Sequence, residues 1–394
     1  MNLASTRFDP RSISLSQEQQ RLLADIFQFH DHCAAAGEAG LYIISGEAGT
    51  GKSVVLTHFY DLLRQRYRQE KSIFLVNHPE LLKVYRALAG SLPSLRKKDF
   101  DRPTSFINRC RKNGETYDTV VIDEAHLLLS QSDPYNRYEG TNQLADILRL
   151  SHFVVLVYDP SQVIKTKCWW DEDMIRALAA GRACRACRLT RQFRMEAPAP
   201  LLQWIDAFIA GRLLPVPQDR GGYDFRIFDD CEAMYEAIAA RDREYGLSRI
   251  TATINYPSRL DGGRHYVREG RFALPWDQYN FTAVPWAEIP ETIGEVGSLY
   301  TVQGFDLNWI GVILGPSLSL DPADPSHILV DAEKVTDPAI YHRRKDWSKP
   351  RLSEAKEALF RNGLSVLLKR GRKGLYLYAH DPALRKALRQ AQAR

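Results

Sequence analysis

The segment GEAGTGKS, from Gly46 to Ser53, matches the phosphate-binding pattern G-x-x-x-x-G-K-[ST] at every fixed position. Its glycines leave backbone N–H groups free to approach phosphate oxygens, and the helix that follows adds the partial positive charge of its N-terminus. Lys52 can reach the β- and γ-phosphates, and Ser53 can bind Mg²⁺. The pattern therefore predicts a site for a nucleoside triphosphate, formed by Gly46, Glu47, Ala48, Gly49, Thr50, Gly51, Lys52 and Ser53.

Two adjacent carboxylates end the apolar run VVIDEAH, which reads as a buried strand. Asp123 is predicted to hold the Mg²⁺, directly or through water. Glu124 is predicted to polarise the water that attacks the γ-phosphate. His126, at the end of the run, is expected to do no more than relay between the nucleotide and the domain interface.

A polar turn, YDPSQ, follows the next predicted strand. The carboxyl end of a parallel strand lies at the phosphate-binding edge of a sheet, where the amide of Gln162 is suited to sensing the γ-phosphate. An ordinary turn has the same composition, and the residues alone weight the two interpretations equally.

The elements that must position these residues follow from the alternation of short apolar runs with helical patterns, which predicts parallel strands covered by helices. In the first half the predicted strands are Leu41–Ile44, Ser72–Val76, Thr119–Asp123 and Phe153–Tyr158. After Pro198 and Pro200 interrupt the pattern, the predicted strands are Phe225–Phe228, Arg249–Ile254, Ile310–Leu314 and Leu375–Tyr378. The sequence thus predicts two α/β domains, with helices at Asn142–Leu150, Pro200–Ile209, Glu232–Tyr245, around Glu354–Leu359 and at Pro382–Arg394.

Composition narrows the class of protein. The 394 residues are 44% hydrophobic, enough for two or three domains, and the net charge of +5 is compatible with a polyanionic partner. No run of about 18 uncharged apolar residues occurs and no signal-peptide pattern begins the chain, so a cytoplasmic protein with no membrane partner is expected.

Cys184 and Cys187 form a lone C-x-x-C followed by a predicted strand. Reduced thiols are expected there, so Mg²⁺ is the one metal predicted.

The motifs together resemble a known family. GEAGTGKS, VIDEAH, YDPSQ and LTRQFRM occur in the order of motifs I to IV of superfamily 1 helicases, and SLYTVQGFD and NGLSVLLKRGRKGLYLY look like motifs V and VI. The forms V-Q-G-F-D and L-L-x-R-G-x-K-G are most similar to uncharacterised bacterial helicase-like domains related to the helicase half of Schlafen proteins. The resemblance extends from about Leu15 to about His380.

The resemblance implies two RecA-like domains, each a mainly parallel sheet covered by helices, with the ATP site in the cleft between them. The first domain would comprise residues 1–192 and the second residues 193–394, with an irregular or β-rich insert at about 256–290. Two positions depart from the family pattern: Lys369 stands where Thr is common, and Tyr158 stands where Gly usually begins the third motif.

Further site residues are implied by the same resemblance. Gln19, in the segment LSQEQ, would bind the edge of the adenine base. Arg194 and Arg370 would reach the γ-phosphate, where guanidinium groups stabilise the charge that spreads over its oxygens in the transition state. Gln303 and Gly304 would lie at the junction of the nucleotide and nucleic-acid sites, with Asp306 as the acid that follows.

We therefore expect an ATP-dependent motor that hydrolyses ATP with Mg²⁺ and couples hydrolysis to binding of single-stranded DNA or RNA. Translocation is expected rather than vigorous unwinding, because the two motif-bearing domains use most of the chain. Candidate contacts to the strand are Asn77, His78, Tyr300, Thr301 and the aromatics Trp276, Tyr279, Phe281 and Trp286, although packing is favoured over base stacking for the aromatics.

The alternative is a phosphate-loop ATPase of another class. It would remodel or time a multiprotein assembly, such as a phage-defence complex, through protein partners and without unwinding.

Overall fold

The computed structural model describes residues 14–47, 49–90, 92–190, 192–257, 263–278, 284–303, 306–337, 340–342, 344 and 347–393. The predicted site residues Ala48 and Gly304 lie outside these ranges, as do Tyr279 and Phe281. None of the helices in these ranges is long and apolar enough to cross a membrane. The chain divides into two compact units, one formed by residues up to 163 with 167–193, the other by 164–166 with 194 onward.

The first unit contains the helices α1 (Gln17–Ala36), α2 (Lys52–Arg66), α3 (Pro79–Leu88), α4 (Pro103–Asn113), α5 (Gln143–Arg149) and α6 (Glu172–Leu178). Its strands are β1 (Gly40–Gly46), β2 (Ser72–Val76), β3 (Phe100–Asp101), β4 (Tyr117–Asp123), β5 (Ser151–Tyr158) and β6 (Ala183–Leu189).

The second unit contains the helices α7 (Ala199–Ile209), α8 (Cys231–Tyr245), α9 (Leu299–Val302), α10 (Lys349–Leu368) and α11 (Pro382–Ala393). Its strands are β7 (Asp224–Ile227), β8 (Ser248–Ala252), β9 (Tyr266–Glu269), β10 (Phe272–Pro275), β11 (Val296–Gly297), β12 (Leu307–Leu314), β13 (Leu318–Leu320), β14 (Ile328–Val330) and β15 (Gly371–Ala379).

The described strands of the first unit form a parallel sheet in the order β3-β2-β4-β5-β1-β6. Val120, Val121 and Ile122 in β4 are fully buried, as expected for parallel strands covered on both faces. The strands β4, β5 and β1 are neighbours, and a predicted site segment lies at the end of each. Because parallel strands share one carboxyl edge, this order brings the three segments together.

The second unit has its own parallel sheet, in the order β11-β8-β12-β15-β7. Two antiparallel hairpins, β9–β10 and β13–β14, each form a separate two-stranded sheet. The hairpin β9–β10 falls inside the range predicted to hold an irregular or β-rich insert. The prediction of an α/β protein with two mainly parallel, helix-covered sheets is confirmed.

The helix α10 is much longer than the short helix predicted around Glu354–Leu359. Ser348 caps its N-terminus by accepting a hydrogen bond from the Arg351 backbone N–H at 3.4 Å. Gly363 does not break the helix. It is buried, and a Cβ there would lie 3.3 Å from Leu299 Cδ2, so the glycine permits close packing of α9 on α10.

The C-x-x-C pair lies within β6, not before a strand as predicted. Residues three apart on a strand point to opposite faces, and Cys184 is exposed whereas Cys187 is half-buried. Burial raises the pKa of both thiols. The pair therefore lacks the geometry of a chelate, and its thiols favour the protonated form.

A buried histidine joins α1 to the segment that precedes β2. His30 Nε2 lies 3.3 Å from Glu70 Oε1, and Nδ1 lies 3.1 Å from Asp31 Oδ1. Thr119 Oγ1 donates to Glu70 Oε2 at 3.0 Å, which extends the network to β4. Burial alone would lower the pKa of His30, but the hydrogen bonds and charges of Glu70 and Asp31 outweigh it and raise the pKa above its ordinary value of 6.5.

Protonated His30 should stabilise the fold at low pH, and this contribution should be lost as the pH rises through the raised pKa. We expect His30→Gln to lower the free energy of unfolding by about 1–3 kcal/mol at about pH 6, with a difference that shrinks towards about pH 9. Denaturant unfolding of both proteins across this range measures it. His32→Gln, on the exposed side of the same helix, is the control. A difference that does not change with pH would contradict the prediction.

Candidate active site

The phosphate loop joins β1 to α2, as its sequence predicts. Gly46 and Gly51 have φ angles of +155° and +78°, which residues with a side chain rarely adopt. A Cβ at Gly46 would lie 2.7 Å from the Leu189 carbonyl oxygen, and one at Gly51 would collide with the amide nitrogen of Gln19. Gly46 is therefore required by its backbone conformation and by a neighbouring carbonyl, whereas Gly51 is required by its φ angle, and a side chain there would also displace the end of the Gln19 side chain.

Lys52 lies inside the loop and is 6% exposed. Its Nζ donates to the carbonyl oxygens of Gly46 and Glu47, both at 2.6 Å, and lies 3.4 Å from Asp159 Oδ2. The loop thus holds a buried cation with two neutral acceptors and one carboxylate. Phosphate oxygens would replace the two carbonyls with charged acceptors, which form stronger hydrogen bonds to an ammonium group.

Ser53 and Asp123, the two predicted Mg²⁺ ligands, are in contact. Ser53 Oγ donates to Asp123 Oδ1 at 3.2 Å, and the Glu124 backbone N–H donates to the same oxygen at 3.0 Å. Asp123 is fully buried. Burial, followed by the neighbouring charge of Glu124, raises the pKa of Asp123. A hydroxyl and a carboxylate beside a phosphate loop are the oxygen ligands that Mg²⁺ prefers, so the residues present fit this metal.

Glu124 turns away from the strand in a left-handed conformation, with φ of +54°. Its Oε2 lies 3.1 Å from Nε2 of His126, which is fully buried. Such a conformation costs of order 1–3 kcal/mol in a residue other than glycine and persists where its surroundings fix it, commonly at active sites. The proposed general base therefore has a fixed backbone and a buried side-chain partner.

Asp159 fixes the turn that contains Gln162 by accepting hydrogen bonds from the side chains within it. The Gln162 side chain donates to Asp159 Oδ2 at 2.8 Å, and the Ser161 hydroxyl donates to Oδ1 at 2.6 Å. Burial alone would raise the pKa of Asp159, but the charges of Lys52 and His126 and these hydrogen bonds hold it below its ordinary value. Asp159 is therefore the anion that faces Lys52. The role of Gln162 as a γ-phosphate sensor stays a prediction.

Gln19 reaches the phosphate loop from the first turn of α1. Its Oε1 accepts from the Ser16 backbone N–H at 2.9 Å, as part of a capping box. Its Nε2 donates to the Thr50 carbonyl at 3.3 Å. The same side chain thus caps α1 and contacts the loop, whereas its contact with adenine stays a prediction.

The predicted site residues of the second unit contact other residues of the same unit. Arg194 forms an ion pair with Asp306, and Arg370 is buried and donates from Nε to the Val366 carbonyl at 3.3 Å. Lys369, which differs from the residue common in the family, has its Nζ 2.7 Å from Asp206 Oδ1. Buried Gln303 ends α9, and its Nε2 has no hydrogen-bond partner among the described residues. The geometry does not assign these residues a role, so their roles stay predictions.

Among the candidate strand contacts, the two described tryptophans are packing residues. Trp276 and Trp286 are each 2% exposed, which agrees with the preference for packing over base stacking. Asn77 Nδ2 donates to the Leu127 carbonyl at 2.5 Å, and Tyr300 OH donates to Asp337 at 2.6 Å.

Two residues of the site were not identified from sequence. Tyr85 OH donates to Asp123 Oδ2 at 2.5 Å from the helix α3, and Asp159 faces Lys52. Asp159 carried a signal, since it follows a predicted strand that adjoins the phosphate loop. Tyr85 carried none, because 38 residues separate it from Asp123 and only the pairing of β2 with β4 brings them together.

Comparison with known proteins places the chain. Residues 39–381 match the Schlafen group 3 DNA/RNA helicase domain. The chain belongs to this family. An uncharacterized protein of Saccharomyces cerevisiae is 36% identical over 420 residues, which cover 96% of this chain and 91% of the relative. The resemblance to Schlafen-related helicase-like domains is therefore confirmed, and it extends to a fungal protein.

Solved structures give more distant matches. The Pif1 helicase from Candida albicans is 12% identical over 96% of this chain and 98% of its own, with a TM-score of 0.38. Domain III of the Thermotoga maritima replication initiation protein DnaA is 14% identical over 52% of this chain and 82% of its own, with a TM-score of 0.29. With TM-scores this low, these structures carry no argument, and the assignment of this Schlafen-family chain rests on the family match over residues 39–381 and on the yeast relative.

Gly51→Ala tests the fit between the loop and Gln19. A side chain here meets both an unfavourable φ and the Gln19 amide, so we expect a loss of unfolding free energy of about 2–4 kcal/mol and a fall in nucleotide affinity of tenfold or more. Gly114→Ala is the control, because Gly114 has φ of +64° but nothing within 4 Å of a Cβ. It should cost about 1–2 kcal/mol and leave nucleotide affinity unchanged. Thermal unfolding and calorimetric titration measure both, and equal effects would contradict the prediction.

Proposed function

We propose that this protein is an ATP-dependent nucleic-acid motor that hydrolyses ATP with Mg²⁺ and couples hydrolysis to binding of a single strand. The observation that carries the proposal is the contact between Ser53 and Asp123, 3.2 Å apart, beside a phosphate loop that already encloses Lys52. Membership of a family described as a DNA/RNA helicase domain supports the nucleic-acid part.

Different residues of the first unit would bind the triphosphate, hold the metal and activate the water. Lys52 and the loop N–H groups bind the triphosphate, and the N-terminus of α2 adds its dipole. Ser53 and Asp123 would hold Mg²⁺, which would supply positive charge to offset the charge of the phosphate oxygens. Glu124, fixed by its backbone and by His126, orients the attacking water and accepts its proton.

Coupling to a nucleic acid needs residues that respond to it, and the segment after β2 is well placed for this. Asn77 binds the Leu127 carbonyl just beyond the acidic pair, so this segment is fixed to the chain that carries Asp123 and Glu124. A strand bound at Asn77 and His78 would act on the same edge of the sheet that holds the phosphate loop.

Turnover of ATP against single-stranded DNA, single-stranded RNA and duplex tests the proposal. We expect single strands to stimulate turnover at least severalfold. Lys52→Ala should lose nucleotide affinity, whereas Glu124→Gln should bind ATP and lose turnover by about 10²–10⁴-fold, as expected for a general base. Equal turnover with and without every oligonucleotide would reject the motor and favour the alternative, an ATPase that times or remodels a protein assembly.

Arg370 is predicted to stabilise the transition state rather than the bound nucleotide. We expect Arg370→Lys to lower kcat by about 10²-fold or more and to leave nucleotide affinity within a few fold, because lysine keeps the charge but loses the planar fork. Arg372→Lys is the control: Arg372 is exposed in the same segment and pairs loosely with Glu196, at 3.7 Å. A parallel loss of affinity and turnover in Arg370→Lys would indicate a structural role.

A further inference from the structure

The two oxygens of the Asp123 carboxylate have different partners. Oδ1 accepts from the Ser53 hydroxyl and from the Glu124 backbone N–H. Oδ2 accepts from Tyr85 OH at 2.5 Å. The phenol is 1% exposed, so no water competes for this hydrogen bond. One oxygen is therefore committed to the protein interior, and the other lies on the side of Ser53.

Packing fixes Tyr85 in this position. Its ring stacks on Phe100, with centroids 5.6 Å apart and planes 10° apart, and contacts Phe74 at 4.7 Å. The parallel pairing of β2 with β4 sets Val76 opposite Asp123, and α3 follows β2 after two residues. The hydroxyl cannot leave Oδ2 without disturbing this aromatic cluster, which lies in the core of the first unit.

We propose that Tyr85 is a positioning residue that restricts Asp123 to binding the metal through Oδ1 alone, and so favours Mg²⁺ over Ca²⁺. Mg²⁺ requires near-octahedral geometry with short bonds to single oxygens. Ca²⁺ takes six to eight oxygens and readily accepts both oxygens of a carboxylate. Holding Oδ2 out of reach denies Ca²⁺ the second oxygen, while Mg²⁺ needs only the first. This inference rests on the proposed function, because it concerns the metal that accompanies ATP.

Tyr85→Phe tests the inference, with Tyr60→Phe as a matched control. Tyr60 is buried in the same cluster, contacts the same Phe74 and Phe100, and donates to the Asp99 carbonyl at 3.4 Å rather than to Asp123. Calorimetric titration with a non-hydrolysable ATP analogue, in Mg²⁺ and separately in Ca²⁺, measures the affinities. Thermal unfolding of both variants shows whether the loss of a buried hydroxyl affects their folds to a similar extent.

We expect Tyr85→Phe to lower affinity in Mg²⁺ by about tenfold or more, as outer-shell partners of metal ligands do when replaced. Affinity in Ca²⁺ should fall less, so the preference for Mg²⁺ should drop by about threefold or more. Tyr60→Phe should keep the wild-type preference. In an Asp123→Asn background, Tyr85→Phe should change the preference no further.

The outcomes separate the two proposals. If the wild-type protein binds the analogue with Mg²⁺ but both phenylalanine variants keep the same preference, the role of Tyr85 is rejected and the ATPase stands. If the wild-type protein does not bind the analogue with either metal, the proposed function itself fails. If Tyr85→Phe lowers affinity equally in both metals, Tyr85 supports the fold of the site without selecting the metal, and the inference is overturned.

Discussion

Buried charge at the carboxyl edge of one parallel sheet is the constraint on which the first unit depends. Lys52, Asp123 and Asp159 are each nearly or fully buried, and a buried charge is costly unless it is paired or hydrogen-bonded. The sheet order meets this need, because β5 lies between β1 and β4 and carries Asp159 to the position between the phosphate loop and the acidic pair. The ion pair of Lys52 with Asp159 offsets the cost of burying both charges. A bound triphosphate could take the place of Asp159 as the partner of Lys52, and a divalent cation could bind Asp123.

The same constraint explains why so many supporting groups surround the site. Asp159 accepts from Ser161 and Gln162, Asp123 accepts from Tyr85 and Ser53, and Glu124 lies against His126. The hydrogen bonds to Asp159 and Asp123 satisfy carboxylate oxygens that would otherwise be desolvated without compensation. A network of this kind fixes the orientation of each side chain, and orientation is what phosphoryl transfer requires of a protein.

In the second unit, ion pairs and a backbone hydrogen bond tie the predicted motif segments to their neighbours. Arg194 pairs with Asp306, Lys369 with Asp206, and the Glu196 backbone N–H donates to the Arg372 carbonyl at 2.8 Å. The lysine that departs from the family pattern thus has a structural partner on α7. Arg370 lies where α10 meets β15, and its carbonyl accepts from Leu307 N–H, so the segment that carries it is continuous with the sheet. Arg194 and Arg370 both lie in connecting segments outside the helices and strands, and these contacts hold the segments in place.

The sequence determined the phosphate loop, the acidic pair and the parallel strands, because each depends on local spacing: glycines at fixed positions, carboxylates at a strand end, and apolar runs of strand length. It also placed the chain in its family. Local spacing could not give the length of α10, since an Asn-Gly pair is typical of a turn and the close packing of Leu299 on Gly363 is not visible in the sequence. Nor could it show that Cys184 and Cys187 lie within β6, where the alternation of side chains puts them on opposite faces of the sheet. Tyr85 and the ion pair of Arg194 with Asp306 were decided by tertiary structure alone, because sheet order and helix packing join residues that are 38 and 112 positions apart.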